Sequence, residues 1–287
     1  MSETNPGQQL RDFLKQIYPF DLDDINAVEN NFFVYKIDNA LIAEGNFANL
    51  LYESSINYIL RRLINTAEYL RRKYESDTFP PGKFLVELRR FITDHTRINS
   101  DDAEKIIALL NLCVEAKNKK LKPSRKKRIV RNAKSNNELS CYICGKALTS
   151  EEVEIKTIKE NQTDNNLPNQ EEVQIEHIWP RAMGGATEDF NLKISCSYCN
   201  NKKQNYIDAS DFHYEQISLV SDKNDEFFST ELKREYKIAI WSKSNYSCSV
   251  CGKPALSVGR LNFGRLNPND SWHFLNIEAY CDKHTPE

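Results

Sequence analysis

The chain has 287 residues, 40% of them hydrophobic and 28% charged, with a formal net charge of -2, the balance of an ordinary soluble protein. No run approaches the roughly 20 apolar residues of a membrane span, the opening Met1 to Gln9 is polar and has no apolar leader core, and a cytoplasmic protein without membrane attachment is expected. The length suits two or three small domains of about 150 residues or fewer.

The first third reads as helical. From about Phe47 to Tyr74 the apolar residues Leu50, Leu51, Ile59, Leu60, Leu63, Ile64, Ala67 and Leu70 recur with helical spacing, and Pro80-Pro81 ends the stretch. Phe84, Leu85, Leu88, Phe91 and Ile92 give a second helix its apolar face. A third is expected from about Asp101 to Ala116, behind the cap-rich start Asn99-Ser100-Asp101-Asp102. Residues 1–116 hold no chemical motif and form a helical domain suited to docking or regulation. Cys113, in the apolar run from Ile106 to Leu112, reads as a buried free thiol.

Lys117 to Lys134 carries ten basic residues and no acid. Arg125, Lys126, Lys127, Arg128 and Arg131 lie at its centre. Alone, such a stripe is more often a solvated linker or helix face. Directly before a cysteine pair, it reads as a phosphate-binding stripe, since each cation that meets a phosphate releases counterions.

Cys141-x2-Cys144 and Cys196-x2-Cys199 follow. Each pair puts two thiolates on one tight turn, and the two together make a closed tetrahedral set for structural zinc. Between them lies a polar, acid-rich stretch, 151–173, expected to be an exposed insertion. It is followed by Glu176-His177, Arg181, Gly184-Gly185 and Asn191-Leu192, and by Asn200 and Lys203 beyond the second pair.

The last segment echoes this unit. Ser140-Cys141-Tyr142-Ile143-Cys144-Gly145-Lys146 returns as Ser247-Cys248-Ser249-Val250-Cys251-Gly252-Lys253, and Asn276 precedes Cys281 by five residues as Asn191 precedes Cys196. Cys248, Cys251, Cys281 and His284 make a second zinc-type set of three thiolates and one imidazole. No carboxylate-histidine pair lies between Cys251 and Asn276, so the copy reads as non-catalytic.

Residues 175–203, taken with the framing cysteines and the preceding basic stripe, resemble the HNH endonuclease family in its four-cysteine form. The resemblance covers roughly 80 residues. It implies a ββα-metal, treble-clef-like zinc domain (117–210); with the N-terminal helical domain (1–116) read from periodicity and the degenerate zinc-binding repeat (211–287) read from the echo, an α+β protein is expected.

By the same resemblance, His177 is the general base, Glu176 and Asn200 hold one Mg2+ or Mn2+ ion, and Asn191 ties the loop that holds His177. Arg181 and Lys203 are candidate phosphate contacts. The chain has Glu where Asp is usual and Asn in place of the last His, a pairing also met in nucleases of bacterial anti-phage systems. The implied function is metal-dependent hydrolysis of DNA, with RNA left open, two structural Zn2+ ions, and an ATPase or sensor protein as partner by analogy. The competing reading is a non-catalytic zinc-containing nucleic-acid-binding protein. Neighbouring residues on a regular strand face opposite ways, so the strand that carries Glu176 and His177 is expected to end, bulge or twist there.

Overall fold

The computed structural model describes residues 4–19, 45–75, 78–96, 98–148, 173–211, 234–268 and 274–286; the acidic stretch 151–172 lies outside them. In chain order the elements are α1 (Pro6–Ile17), α2 (Gly45–Tyr74), α3 (Lys83–His95), α4 (Ser100–Asn118), α5 (Pro123–Ser135), β1 (Val173–His177), β2 (Leu192–Cys196), α6 (Ser197–Lys203), α7 (Arg234–Lys243), α8 (Ala255–Val258), β3 (Asn262–Arg265) and β4 (Ile277–Tyr280). Short 3-10 turns occur at Arg181–Met183, Asp189–Asn191 and Ala209–Asp211. The fold mixes helix with two small sheets. Among the described residues no helix is long and apolar enough to cross a membrane.

Two compact units emerge: Met1–Lys120 with His177–Asn191, and Leu121–Glu176 with Leu192–Glu287. The division does not follow chain order, because the loop after β1 belongs with the N-terminal helices.

In the first unit, α2, α3 and α4 arise where apolar periodicity predicts them, and Asn99 caps α4 by accepting the Asp102 amide at 2.9 Å. Helix α1 has no counterpart in the sequence reading. Pro6 stands in its first turn, where the missing amide costs nothing, and Leu10, Phe13 and Leu14 are buried along one face. Arg11 fixes it to α2, through Nε to Asn57 Oδ1 at 2.7 Å and through a guanidinium contact with Glu53 at 2.6 Å.

The start of α1 also meets the loop after β1. The Gly7 amide donates to Gly184 O at 3.1 Å, and a Cβ at Gly7 would stand 1.7 Å from Met183 O, so only glycine fits. Gly184 turns with φ +75°, and a Cβ there would come within 2.7 Å of Cys113 Sγ. The buried Cys113 thiol, pushed up to about 12 by burial, is thus packing under this turn.

The second unit contains the cysteine-bearing segment and its echo, and the repeat extends to individual hydrogen bonds. The Cys141 amide donates to Lys146 O at 2.8 Å, and that of Cys248 to Lys253 O at 3.0 Å. The Tyr142 amide reaches Ile194 O and the Ser249 amide reaches Ala279 O, both at 2.9 Å. Isolated bridges pair Ser140 with Ala147 and Ser247 with Pro254. β1 and β2 form one two-stranded sheet and β3 and β4 another, the latter antiparallel with Asn262 opposite Tyr280 and Arg265 opposite Ile277. Helices α5 and α7 precede the two cysteine turns, and Tyr142 meets Tyr246 edge to face, ring centres 5.3 Å apart.

Candidate functional site

The Sγ atoms of Cys141, Cys144, Cys196 and Cys199 all lie within 4.8 Å of one another, and all four residues are buried. Four sulfurs at zinc-bonding distance of about 2.3 Å from one centre fall within such a span. Packed this closely the thiols share protons. Hydrogen bonding with Cys141 pulls Cys144 down to about 7 and Cys196 well below the usual thiol range, while hydrogen bonds within the set raise Cys141 and Cys199. A soft divalent cation replaces those shared protons, so the donor set fits zinc. Cys196 Sγ also accepts the Cys199 amide at 3.4 Å.

Cys248, Cys251, Cys281 and His284 form the other cluster, again with ligand atoms within 4.8 Å of one another. His284 turns Nδ1 toward Cys281 Sγ at 3.2 Å and Cys248 Sγ at 3.6 Å. The set fits a three-thiolate, one-imidazole site, with Cys251 at the surface.

Glu176 lies on β1 with 7% of its surface exposed. Its Oε1 meets Lys203 Nζ of α6 at 2.9 Å, with the lysine side chain 1% exposed. Two residues earlier on the same strand, Gln174 Oε1 accepts a hydrogen bond from Asn200 Nδ2. Residues 174 and 176 share a strand face and residues 200 and 203 share a helix face, so α6 lies along this side of β1. Burial raises the Glu176 carboxyl above its usual range and the Lys203 ammonium pulls it back. Lys203, expected at a phosphate, here serves as the buried counter-ion of this carboxylate, because its i,i+3 relation to Asn200 brings both onto β1. Glu176 Oε2 and Asn200 Oδ1 are hard oxygens of the kind that hold Mg2+ or Mn2+, and Mg2+ is commonly held through one carboxylate with waters completing its shell.

His177 is the last residue of β1, so the strand ends at this residue pair, as expected. Beyond it, Asn191 is 1% exposed and makes three side-chain bonds. Its Oδ1 accepts the Trp179 amide at 2.8 Å, while Nδ2 donates to Trp179 O at 3.0 Å and to Ala186 O at 2.8 Å. One amide side chain thus closes the loop that follows the histidine. The Ile178 amide adds a bond to Asn191 O at 2.9 Å.

The same device recurs in the echo. Asn276 Oδ1 accepts the Asn267 amide at 2.8 Å and Nδ2 donates to Asn267 O at 3.0 Å, while the Leu266 amide donates to Asn276 O at 2.7 Å. This correspondence puts Gly264 and Arg265 where the first copy has Glu176 and His177. Among the described residues after Cys281, no helix stands in the place that α6 takes after Cys196. Instead Asn262 Nδ2 bonds Asp282 Oδ1 at 2.8 Å and Thr285 Oγ1 at 3.1 Å, and a Cβ on Gly264 would strike the Pro286 ring at 2.7 Å. The second copy keeps the scaffold without the chemical pair.

Of the basic candidates, Lys127, Arg128 and Arg131 are exposed on α5, and Arg125 and Lys126 are half-buried; Val130 is the buried residue of that helix. Arg181 is half-buried in the 3-10 turn after Pro180.

Three long-range contacts at this site have no forewarning in the sequence. Asn5 has the position and residue type of a helix cap, yet its Oδ1 accepts the Ala186 amide at 2.9 Å instead of capping α1. Thr187 Oγ1 lies 3.2 Å from His177 Nε2 and donates to Lys119 O at 2.9 Å. The Lys119 ammonium pairs with Glu188. Apart from Thr187 with His177, each contact joins residues far apart in the chain, with no local pattern to announce it.

No curated protein and no solved structure matches the chain. A family model does: residues 165–212 match that described as HNH endonuclease. The matched segment contains Glu176, His177, Asn191, Asn200 and the second cysteine pair, and the chain therefore carries an HNH endonuclease domain.

Proposed function

We propose that the protein is a metal-dependent endonuclease that hydrolyses phosphodiester bonds in DNA, with one zinc ion in each cysteine cluster holding the scaffold. The observation that carries this reading is the family match over a segment in which Asn191 pins the loop directly behind His177. A histidine so fixed takes a proton from water with little reorganisation, and a neutral imidazole suits that task near physiological pH. The water oxygen bonds to phosphorus, one P–O ester bond breaks, and the departing oxygen receives a proton from solvent.

Glu176 and Asn200 are the residues that would hold the divalent ion. When bound, such an ion stabilises the negative charge that develops on the phosphate and the leaving oxygen. The exposed cations of α5 supply sequence-independent affinity for the nucleic-acid backbone. A place in bacterial anti-phage defence, with an ATPase or sensor protein as partner, rests on the family resemblance.

The test uses the purified, zinc-loaded protein with supercoiled plasmid and with single-stranded DNA, in Mg2+, in Mn2+ and with neither. Nicking or linearisation that depends on the added ion is the expected result. Binding of DNA without cleavage in any of these conditions would support the rival, a non-catalytic nucleic-acid-binding protein.

A further inference from the structure

The Thr187 hydroxyl has one proton, and geometry directs it to the Lys119 carbonyl at 2.9 Å. Toward His177 Nε2, 3.2 Å away, the same oxygen can then only accept. We infer that Thr187 is a positioning residue that holds His177 in the Nε2–H tautomer and so leaves the basic lone pair on Nδ1. The inference rests on the reading of His177 as the base for its consequence in cleavage, and on hydrogen-bond chemistry alone for the tautomer.

The acceptor that orients Thr187 is itself fixed. Lys119 is the C-terminal cap of α4, a position where helix carbonyls lack intrahelical partners and seek donors. The Thr187 hydroxyl supplies one, and the neighbouring Glu188 carboxylate holds the ammonium of the same lysine. Two consecutive loop residues therefore grip the backbone and the side chain of one helix-end residue. Thr187 is 2% exposed, which keeps water from competing as donor or acceptor. The loop is tied a second time through Asn5 to the Ala186 amide, so the hydroxyl does not drift from the ring. In this arrangement the N-terminal helices specify which nitrogen of the histidine is basic. A ring partner of this kind is a known lever on histidine function, since the hydrogen bond at one nitrogen decides the chemistry of the other.

The experiment is selective 15N-histidine NMR of the zinc-loaded full chain, at a pH where the imidazole is neutral, with the His177 signals assigned by their loss in His177→Ala. The wild type is expected to show a protonated Nε2 and an unprotonated Nδ1. Thr187→Val is expected to give a mixture of tautomers and to slow cleavage by about 10–100-fold, the usual cost of losing an orienting partner, with zinc content unchanged. Thr187→Ser, which keeps the hydroxyl, is expected to restore both. A wild-type ring protonated at Nδ1 would overturn the inference without any variant being needed, as would an unaltered tautomer in Thr187→Val. Absence of cleavage by the wild type, with Nε2–H observed, would defeat the nuclease reading and leave the tautomer assignment standing.

Discussion

Replacing Cys141 with Ser is expected to lower the zinc content from two ions per chain to one and to unfold the segment that holds Glu176 and Asn200. Cys141 is fully buried, and its sulfur is one of four that lie within 4.8 Å of one another. A hydroxyl neither ionises readily nor binds zinc as a thiolate does. Apparent binding energies of structural zinc, about 10–16 kcal/mol in small zinc domains, are folding energies, and they match or exceed the whole stability of a typical domain, about 5–15 kcal/mol. The backbone of this turn is also committed: the Cys141 amide donates to Lys146 O, and the Tyr142 amide donates to Ile194 O of β2. Loss of the ion therefore releases β2, with Cys196 at its end. Metal analysis and a thermal melt check this. A Cys141→Ser protein with two zinc ions and an unchanged melt would refute the zinc assignment. Cys113→Ser, which touches neither cluster, is the control that should keep both ions.

Glu176→Ala is expected to lose cleavage and, separately, about 3–5 kcal/mol of stability, the usual cost of stranding one member of a buried ion pair. The stranded group is Lys203, 1% exposed at its side chain and bonded to Glu176 Oε1 at 2.9 Å. The two losses can be separated. Replacing both partners with apolar residues of similar volume, Glu176→Leu with Lys203→Met, removes both buried charges together and is expected to return most of the stability, while cleavage stays absent because the carboxylate oxygen is gone. Denaturant melts of the three proteins test the energetic part. A single Glu176→Ala variant as stable as the parent would mean that the ion pair contributes nothing to the fold.

What could be read from the sequence was local. Two Cys-x2-Cys turns, the Asn99 cap, and the apolar periods of α2, α3 and α4 each lie within a few residues of their own cause, and each occurs where it was expected. The repeat was legible as well, because an asparagine five residues before a cysteine makes the same bonds in both copies. Helix α1 escaped notice because its start is polar and its apolar residues, Leu10, Phe13 and Leu14, form a stripe too short to stand out.

The long-range contacts had no local signal at all. Asn5 and Ala186 are 181 residues apart, and Lys119 and Thr187 are 68 apart. Lys203 shows the same limit in another form: a lysine in a short helix after a zinc-type turn reads equally as a phosphate contact or as a counter-ion, and only the packing of α6 along β1 decides which partner it has in the fold.

The most direct test of the central claim is single-turnover cleavage of plasmid in Mg2+ by wild type and His177→Ala, each verified to contain two zinc ions and to bind DNA equally. Removal of a general base is expected to slow cleavage by about 10²–10⁴-fold with zinc content and DNA affinity unchanged. Cleavage at the wild-type rate by the alanine variant would show that His177 is not the base and that the catalytic assignment is wrong.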